Sequence, residues 1–149
     1  MEQLQIEVLR LNKELPLPTY QTADSAGVDL YANIEDEIII PCSGGRVLIP
    51  TGIKVQIPQG YEMQIRPRSG LALKYGITVI NAPGTIDSDF RGEIGVILIN
   101  HGNTAFIVHC GDRIAQAIFS NLQQAALVEV EEITETSRGE NGFGSTGRN

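Results

Sequence analysis

Residues 47–66 read VLIPTGIKVQIPQGYEMQIR. Apolar residues alternate here with polar or small ones, as in Ile53, Val55 and Ile57, and this period of two is typical of β-strands with one buried face. Proline and glycine break the alternation at residues 50–52 and 58–60, where turns are expected. The stretch therefore predicts short antiparallel strands joined by turns.

The same pattern continues through most of the chain. Further strands are predicted at residues 94–99, 105–108, 114–119 and 127–133. Only residues 71–75 favour a short helix, with Ser69 as its N-cap. Many short strands separated by turns indicate an all-β sandwich, jelly roll or barrel. After residue 133 the apolar pattern ends and a polar arm follows.

Length and charge limit the classes of function. A chain of 149 residues fits a single domain with one core. The net charge of −7 argues against nucleic acid or an anionic membrane surface as partner, because both are bound through summed Lys and Arg charge. Six of the eight arginines lie in or beside Gly/Ser/Asp-rich segments, which suits a small polyanion. With no run of eighteen apolar residues and no signal-peptide pattern, we expect a soluble, cytoplasmic protein.

The cysteines and histidines give no sign of a metal site. Cys42 and Cys110 are far apart and form no C-x-x-C pair, so we expect two small buried side chains rather than a disulfide or a zinc site. His101 and His109 have no recognisable partner ligands and are expected in a turn and a strand, respectively.

The segment RGENGFGSTG at residues 138–147 has a composition suited to binding a phosphorylated ligand. Its glycines let backbone N–H groups approach phosphate oxygens, Arg138 offers a planar fork, and Ser145 and Thr146 add hydroxyl donors. Phe143 can cover a planar base. The last three glycines fit G-x-G-x-x-G, but that fingerprint requires a strand before it and a helix after it. The alternative is a disordered Gly/Ser tail.

Four further segments interrupt the strand pattern with residues that chemistry can use. They are AGVDL at 26–30, PRSG at 67–70, GTIDSDFRG at 84–92 and GDRIAQ at 111–116. Together with residues 138–147, in this order and spacing, they closely resemble the five motifs of the homotrimeric deoxyuridine triphosphate nucleotidohydrolases (dUTPases). The resemblance runs from about residue 26 to residue 147, which is most of the chain.

The resemblance implies a fold, an assembly and a reaction. The fold is a distorted jelly-roll β-barrel with one short helix, expected over residues 1–133, followed by a flexible C-terminal arm over residues 134–149. The assembly is a homotrimer whose active sites are shared between subunits and closed by the arm. The reaction is hydrolysis of dUTP to dUMP and pyrophosphate, with Mg²⁺ on the triphosphate.

The resemblance also assigns the catalytic and nucleoside-binding residues. Asp87 would orient and deprotonate the water that attacks the α-phosphorus, although taken alone it is typical of a turn-capping carboxylate. The hairpin before it would recognise the uracil edge, through Asn81, Gly84, Thr85 and Ile86. Phe90 would pack on the deoxyribose, and Gly95 would let backbone approach the ligand.

The phosphates are assigned to the second and fourth motifs and to the arm. The contacts implied come from Arg68, Ser69, Gly70, Gln116, Arg138, Ser145 and Thr146. In the arm, Phe143 would stack on uracil, with Gly144 as a further binding residue. Asp29 either holds waters around Mg²⁺ or organises the trimer, and no residue is expected to ligate the metal directly. Arg113 either braces the site or pairs with Asp29 or Asp112.

Two positions depart from the family pattern. Position 90 is Phe where most relatives carry Tyr, so the ring is kept and its hydroxyl is lost. Discrimination between the sugars is therefore expected to differ modestly. Asn141 stands where the arm usually has glycine, and Asn tolerates positive φ better than most residues.

Two other functions compete with dUTP hydrolysis. The dCTP deaminases share this fold but carry a catalytic glutamate ten residues after the aspartate, where this chain has Ile97. An isoleucine cannot shuttle protons. A non-catalytic nucleotide-binding protein on the same fold is the second alternative, and the intact Asp87 and arm motif argue against it.

Overall fold

The computed structural model describes residues 2–149, and this part of the chain contains eleven strands and one helix. In chain order they are β1 Glu7–Arg10, β2 Val28–Tyr31, β3 Ile38–Ile40, β4 Gly45–Pro50, β5 Ile53–Gln56, β6 Tyr61–Arg66, α1 Ser69–Tyr75, β7 Ile77–Val79, β8 Gly84–Ile86, β9 Gly95–Asn100, β10 Phe106–Val108 and β11 Arg113–Asn121.

The strands form four small antiparallel sheets. Their orders are β1-β5, β10-β3, β2-β11-β6-β8 and β4-β9-β7. The three strands predicted in residues 47–66 are confirmed as β4, β5 and β6. None pairs with its neighbour in sequence, because their hydrogen-bond partners are β9, β1, and β11 with β8.

One core lies between the sheets. It is built from the residues on the inward-facing side of each strand. Val55, Met63 and Ile65 are among the buried apolar side chains, together with Leu30, Leu98 and Ile114 from other strands. Burial of this set removes apolar surface from water and is the main favourable term in folding.

Asn100 is the polar exception inside this core. Its side chain is fully buried, its Nδ2 donates to the carbonyls of Ile40 and Thr104, and its Oδ1 accepts from the N–H of Gly102. These three bonds connect the end of β9 to β3 and to the loop before β10. A buried amide with its bonding groups satisfied holds the loop in one position.

The short helix is confirmed, but its predicted cap is wrong. Arg68 occupies the N-cap, Ser69 is the first helical residue, and no side-chain cap bond forms. The helix ends at Gly76, whose φ of 69° is left-handed and whose N–H donates to the carbonyl of Ala72. No helix among residues 2–149 has the length and apolar character needed to cross a membrane.

The strand predicted at residues 127–133 is wrong for the described chain. The last strand ends at Asn121, and Leu127, Val128 and Ile133 are each more than three-quarters exposed. A strand needs a partner for its backbone and a cover for its apolar face, and nothing within residues 2–149 supplies either to this segment. The division into residues 1–133 and an arm at 134–149 stays a prediction.

The prediction of two buried cysteines is also wrong. Cys42 is half-buried and Cys110 is exposed, and both are free thiols. Each lies in a loop beside β3 or β10 rather than in a strand interior, so the strand alternation gives no information on its burial.

Replacing Asn100 by Ala is expected to lower the free energy of unfolding by about 2 to 4 kcal/mol, because the Gly102 N–H and two carbonyls lose their buried partner. Urea unfolding followed by circular dichroism, at one protein concentration, measures the change. Asn103→Ala, exposed on the same loop, is the matched control and should stay within about 0.5 kcal/mol. Equal effects of the two substitutions would contradict a structural role for Asn100.

Candidate active site

The sheet β2-β11-β6-β8 brings four of the five motif segments together. Asp29 on β2 lies opposite Gln116 on β11, and Gln116 lies opposite Arg66 at the end of β6. The PRSG segment leaves β6 directly after Arg66, and β8, with Gly84 opposite Ile65, carries the third segment on the other side. The pairing of these strands therefore makes neighbours of segments that are far apart in sequence.

Asp29 is the electrostatic centre of this cluster. Its Oδ1 lies 3.4 Å from Arg68 Nε and its Oδ2 lies 3.8 Å from Arg113 Nη1, and only 15% of the carboxylate side chain is exposed. Arg68 Nη1 also donates to the carbonyl of Arg113 at 2.9 Å. Of the alternatives open for Arg113, the pair with Asp29 is the one present, and Arg68, which was assigned to the phosphates, is also engaged with Asp29.

Gln116 faces a pocket rather than the core. Its Nε2 donates to the carbonyl of Pro67 at 3.1 Å, which ties β11 to the PRSG segment. A pocket of about 400 Å³ opens beside it, lined by Gln64, Arg66, Pro67, Ala82, Pro83 and Gln116. The pocket lies between the second and fourth motif segments on one side and the start of the third on the other.

Arg66 lines this pocket and is one of the six clustered arginines expected to suit a small polyanion, although no motif role was assigned to it. Its Nε and Nη2 both donate to Gln64 Oε1, at 3.2 and 2.8 Å, and it makes no ion pair within residues 2–149. Its place becomes visible only through the register, which sets Arg66 opposite Gln116. An exposed guanidinium with free donors can bind a phosphate oxygen.

The third motif segment begins with β8, which pairs with β6, and an exposed carboxylate follows it. The expected hairpin is not formed as a paired unit, because β7 and β8 pair with different strands. Gly84 is buried, and a Cβ there would lie 3.1 Å from Ile65 Cβ, so the β8 backbone packs directly on β6. Asn81 and Thr85 are exposed, Ile86 is half-buried, and Asp87 follows β8 at once with its side chain open to solvent. A carboxylate on such a fixed strand end can accept a proton from a water molecule.

Three further predicted residues, Ser69, Gly70 and Gly95, lie in two other elements, α1 and β9. Ser69 and Gly70 are exposed in the first turn of α1, next to Arg68. Gly95 pairs with Pro50, and Leu48 fills the space that a side chain would take, since a Cβ built on Gly95 would lie 2.7 Å from Leu48 Cδ1. In the described chain Gly95 therefore makes room for Leu48, and its contact with a ligand stays a prediction.

The C-terminal segment is not joined to this cluster in the single chain. Arg138 Nε donates to the carbonyl of Asn141, and two turns follow, from Ser145 N–H to Gly142 and from Gly147 N–H to Gly144. Phe143 is fully exposed. Asn141 has no positive φ, so the replacement of glycine there requires no unusual backbone.

The described residues contain no cluster of side chains that could ligate a metal ion. No group of three or more His, Cys, Asp or Glu that could hold an ion occurs among residues 2–149. His109 lies just after β10 rather than within it, 3.3 Å from Glu37 through Nε2 and 3.7 Å from Asp112 through Nδ1, and all three are well exposed. Of the three residues only Asp112 belongs to a motif segment, and none of them lines the pocket beside Gln116.

Comparison with known proteins agrees with the motif pattern. The family model for dUTPase matches residues 13–147. The chain is 56% identical over 145 residues to the deoxyuridine 5'-triphosphate nucleotidohydrolase of Nautilia profundicola, covering 97% of this chain and 100% of that protein. It is 51% identical over 147 residues to the protein of the same name from Syntrophotalea carbinolica, covering 99% of each.

Solved structures agree on the fold. The dUTPase of Staphylococcus bacteriophage 80alpha with dUPNHPP superimposes with a TM-score of 0.84 at 23% identity, covering 97% of this chain and 99% of that one. A variant dUTPase from phage phi11 of S. aureus, described for its coordination of a structural Mg(II) ion, gives 0.74 at 20% identity, covering 86% and 97%. The predicted all-β, jelly-roll-like fold with one short helix is confirmed. On its sequence, its family-model match and its fold, the chain belongs to the dUTPase family.

Proposed function

We propose that this chain hydrolyses dUTP to dUMP and pyrophosphate, with Asp87 as the general base for water attack on the α-phosphorus. The activity follows from the family and from relatives that carry its name at 51–56% identity. The observation that carries the assignment of the site is the shared sheet. The β6 register brings Pro67, Gln116 and the residues just before β8, Ala82 and Pro83, around one pocket. Asp87 follows the opposite end of β8, so joining it to the phosphate-binding residues of another subunit is part of the homotrimer proposal.

Uracil recognition is assigned to residues 81–86. Uracil presents alternating acceptors and a donor, which an amide side chain and backbone groups of a fixed segment can match. Gly84 is packed on Ile65, so the backbone of this segment cannot retreat into the core to admit a larger base. A rigid edge of this kind would reject the methyl group of thymine by steric overlap and cytosine by mismatched hydrogen bonds.

Phosphate binding is assigned to Ser69, Gly70 and Gln116, with Arg66 beside them. Arg68 is already paired with Asp29 and bonded to the Arg113 carbonyl, which favours a bracing role over a direct phosphate contact. Arg66 has donors free within the described chain and lines the pocket. Asp29 would then organise the two arginines, because a carboxylate shared by two cations is poorly placed to hold a third.

Magnesium is assigned to the substrate, as the Mg²⁺ complex of the triphosphate. Mg²⁺ keeps several waters and binds readily through phosphate oxygens, so it requires no cage of protein ligands. The metal would neutralise charge on the phosphates, and the chain's own residues would orient them.

The complete site is assigned to a homotrimer, with the arm of one subunit closing over a site built by others. Residues 138–147 make their hydrogen bonds within the C-terminal segment, and Phe143 leaves its whole ring open to solvent. A wholly exposed ring beside phosphate-binding chemistry favours a contact formed only with ligand. Ordering the arm costs about 1 to 2 kcal/mol per residue of backbone, which stacking and phosphate contacts would have to offset.

Partners other than the nucleotide are disfavoured by charge. A net charge of −7 repels nucleic acid and anionic lipid surfaces alike. We propose that the enzyme acts on free nucleotide, in the cytoplasm.

Replacing Asp87 by Asn is expected to lower kcat for dUTP by at least about a hundredfold with little change in KM, because the amide keeps the shape and cannot take the proton. Pyrophosphate release under steady-state conditions measures both constants. Asp89→Asn, an exposed carboxylate two residues on, is the matched control and should keep kcat within about threefold. Full turnover by the Asp87 variant would remove it as the base.

Deleting residues 138–149 is expected to lower kcat/KM for dUTP by at least about a hundredfold, because the loss includes a stacking contact worth about 1 to 3 kcal/mol and charged phosphate contacts. Light scattering should give the same number of subunits per particle for the deleted and full chains. Removing only residues 148–149 controls for the altered terminus. Unchanged turnover after the larger deletion would contradict the closing role of the arm.

A further inference from the structure

The loop after Asp87 is held closed by its own residues. The Phe90 N–H donates to the Asp87 carbonyl at 3.2 Å. Arg91 Nη1 donates to the carbonyls of Ser88 and Phe90, at 2.6 and 3.1 Å. These bonds within five residues fix the backbone from which the Phe90 side chain projects.

The far end of the loop is anchored to the start of β5. The N–H of Gly52 donates to Glu93 Oε1 at 2.9 Å, and the N–H of Ile94 donates to the carbonyl of Ile53 at the same distance. Ile94 is fully buried. With both ends fixed, the freedom left to Phe90 is rotation of its side chain.

The Phe90 ring lies in the space that a side chain at Gly92 would occupy. A Cβ built on Gly92 would lie 2.5 Å from Phe90 Cζ, 2.9 Å from Cε1 and 3.3 Å from Cε2. The three nearest atoms all belong to this one ring, so the ring is the first obstacle that a side chain would meet. Real Cβ atoms do not approach carbon this closely, so any larger residue would push the ring out.

The backbone conformation at position 92 does not require a glycine. Gly92 is not among the residues with positive φ, so alanine can adopt its conformation without strain. A side chain does not fit at position 92, because the ring of Phe90 occupies the space. The ring itself is 43% exposed, so one surface is buried towards the loop and another remains open to a ligand.

We propose that Gly92 is a specificity-determining residue, because its missing side chain seats the Phe90 ring where it packs on the deoxyribose and excludes a 2′-hydroxyl. This inference rests on the proposed function, since it concerns the sugar of the same substrate. Phe90 touches the sugar, and Gly92 is a positioning residue that acts through the ring. A phenylalanine ring has no hydroxyl that could fix its position by a hydrogen bond, so the position of the Phe90 ring depends on the space left free at Gly92.

The steric origin of the selectivity gives the expected size of the effect. A pocket that rejects an added hydroxyl by shape alone discriminates by about a hundredfold at most. Displacing the ring is expected to lower the ratio of kcat/KM for dUTP to that for UTP by at least about fivefold, through a higher KM for dUTP and a gain on UTP.

The test compares four proteins: the unmodified enzyme, Gly92→Ala, Phe90→Leu and the double variant. Pyrophosphate release from dUTP and from UTP gives kcat and KM for each. With Phe90 in place, the Gly92→Ala change should lower the dUTP-to-UTP ratio by at least about fivefold. When Phe90→Leu is already present, so that no ring remains to be displaced, the same change should alter the ratio by less than about twofold.

Other outcomes overturn the inference. A folded Gly92→Ala enzyme with an unchanged ratio, or an equal fall with and without the ring, would show that the glycine does not act through it. General loosening of the loop would lower kcat/KM for dUTP and for UTP by the same factor and leave their ratio unchanged. If Gly92→Ala does not fold, the double variant must fold and match Phe90→Leu, or the ring is not the obstacle. An unmodified enzyme that hydrolyses dUTP and UTP equally also overturns it, whereas failure to hydrolyse dUTP at all refutes the proposed function instead.

Discussion

The register of β6 with its two neighbours is the constraint on which the site depends. Residues on one strand of an antiparallel pair face fixed partners on the next, and a slip of one residue would turn every side chain to the opposite face. Because β6 pairs with β11 on one side and β8 on the other, Gln116 and the start of β8 flank the segment that leaves β6 at Pro67. The buried alternation of Met63 and Ile65 holds this register, since a slip would expose both.

Electrostatics then fixes the loops that the register brings together. Asp29 is largely buried between Arg68 and Arg113, so removing the carboxylate would leave two guanidinium groups facing each other. The arrangement uses a motif arginine as a brace and leaves the pocket-lining Arg66 with donors free in the described chain. Two arginines therefore pair with Asp29, whereas a third, Arg66, lines the pocket. The motif pattern alone does not reveal this difference.

Much of the fold and of the site could be predicted from the sequence, for a physical reason in each case. Period-two alternation indicates which face of a strand is buried, so β4, β5 and β6 were found. It does not identify the neighbouring strand, so the distant pairings and the place of Arg66 could not be predicted. The segment at 127–133 has strand character without a cover in the described chain, and Cys110 lies in a loop where alternation gives no information on burial. The roles assigned to Asp87 and the arm came from resemblance and remain predictions.

Whether the chain is a dUTP-specific hydrolase is decided by pyrophosphate release from the Mg²⁺ complexes of dUTP, dCTP, dTTP and UTP, measured side by side with the purified full-length chain. The proposed site predicts rapid release from dUTP, slow release from UTP, and little from dTTP or dCTP, whose bases residues 81–86 are proposed to reject. Comparable rates on all four would contradict recognition of the base by this segment. Ammonia release from dCTP, or no release from any of the four, would contradict the assignment of the chain as a dUTP hydrolase.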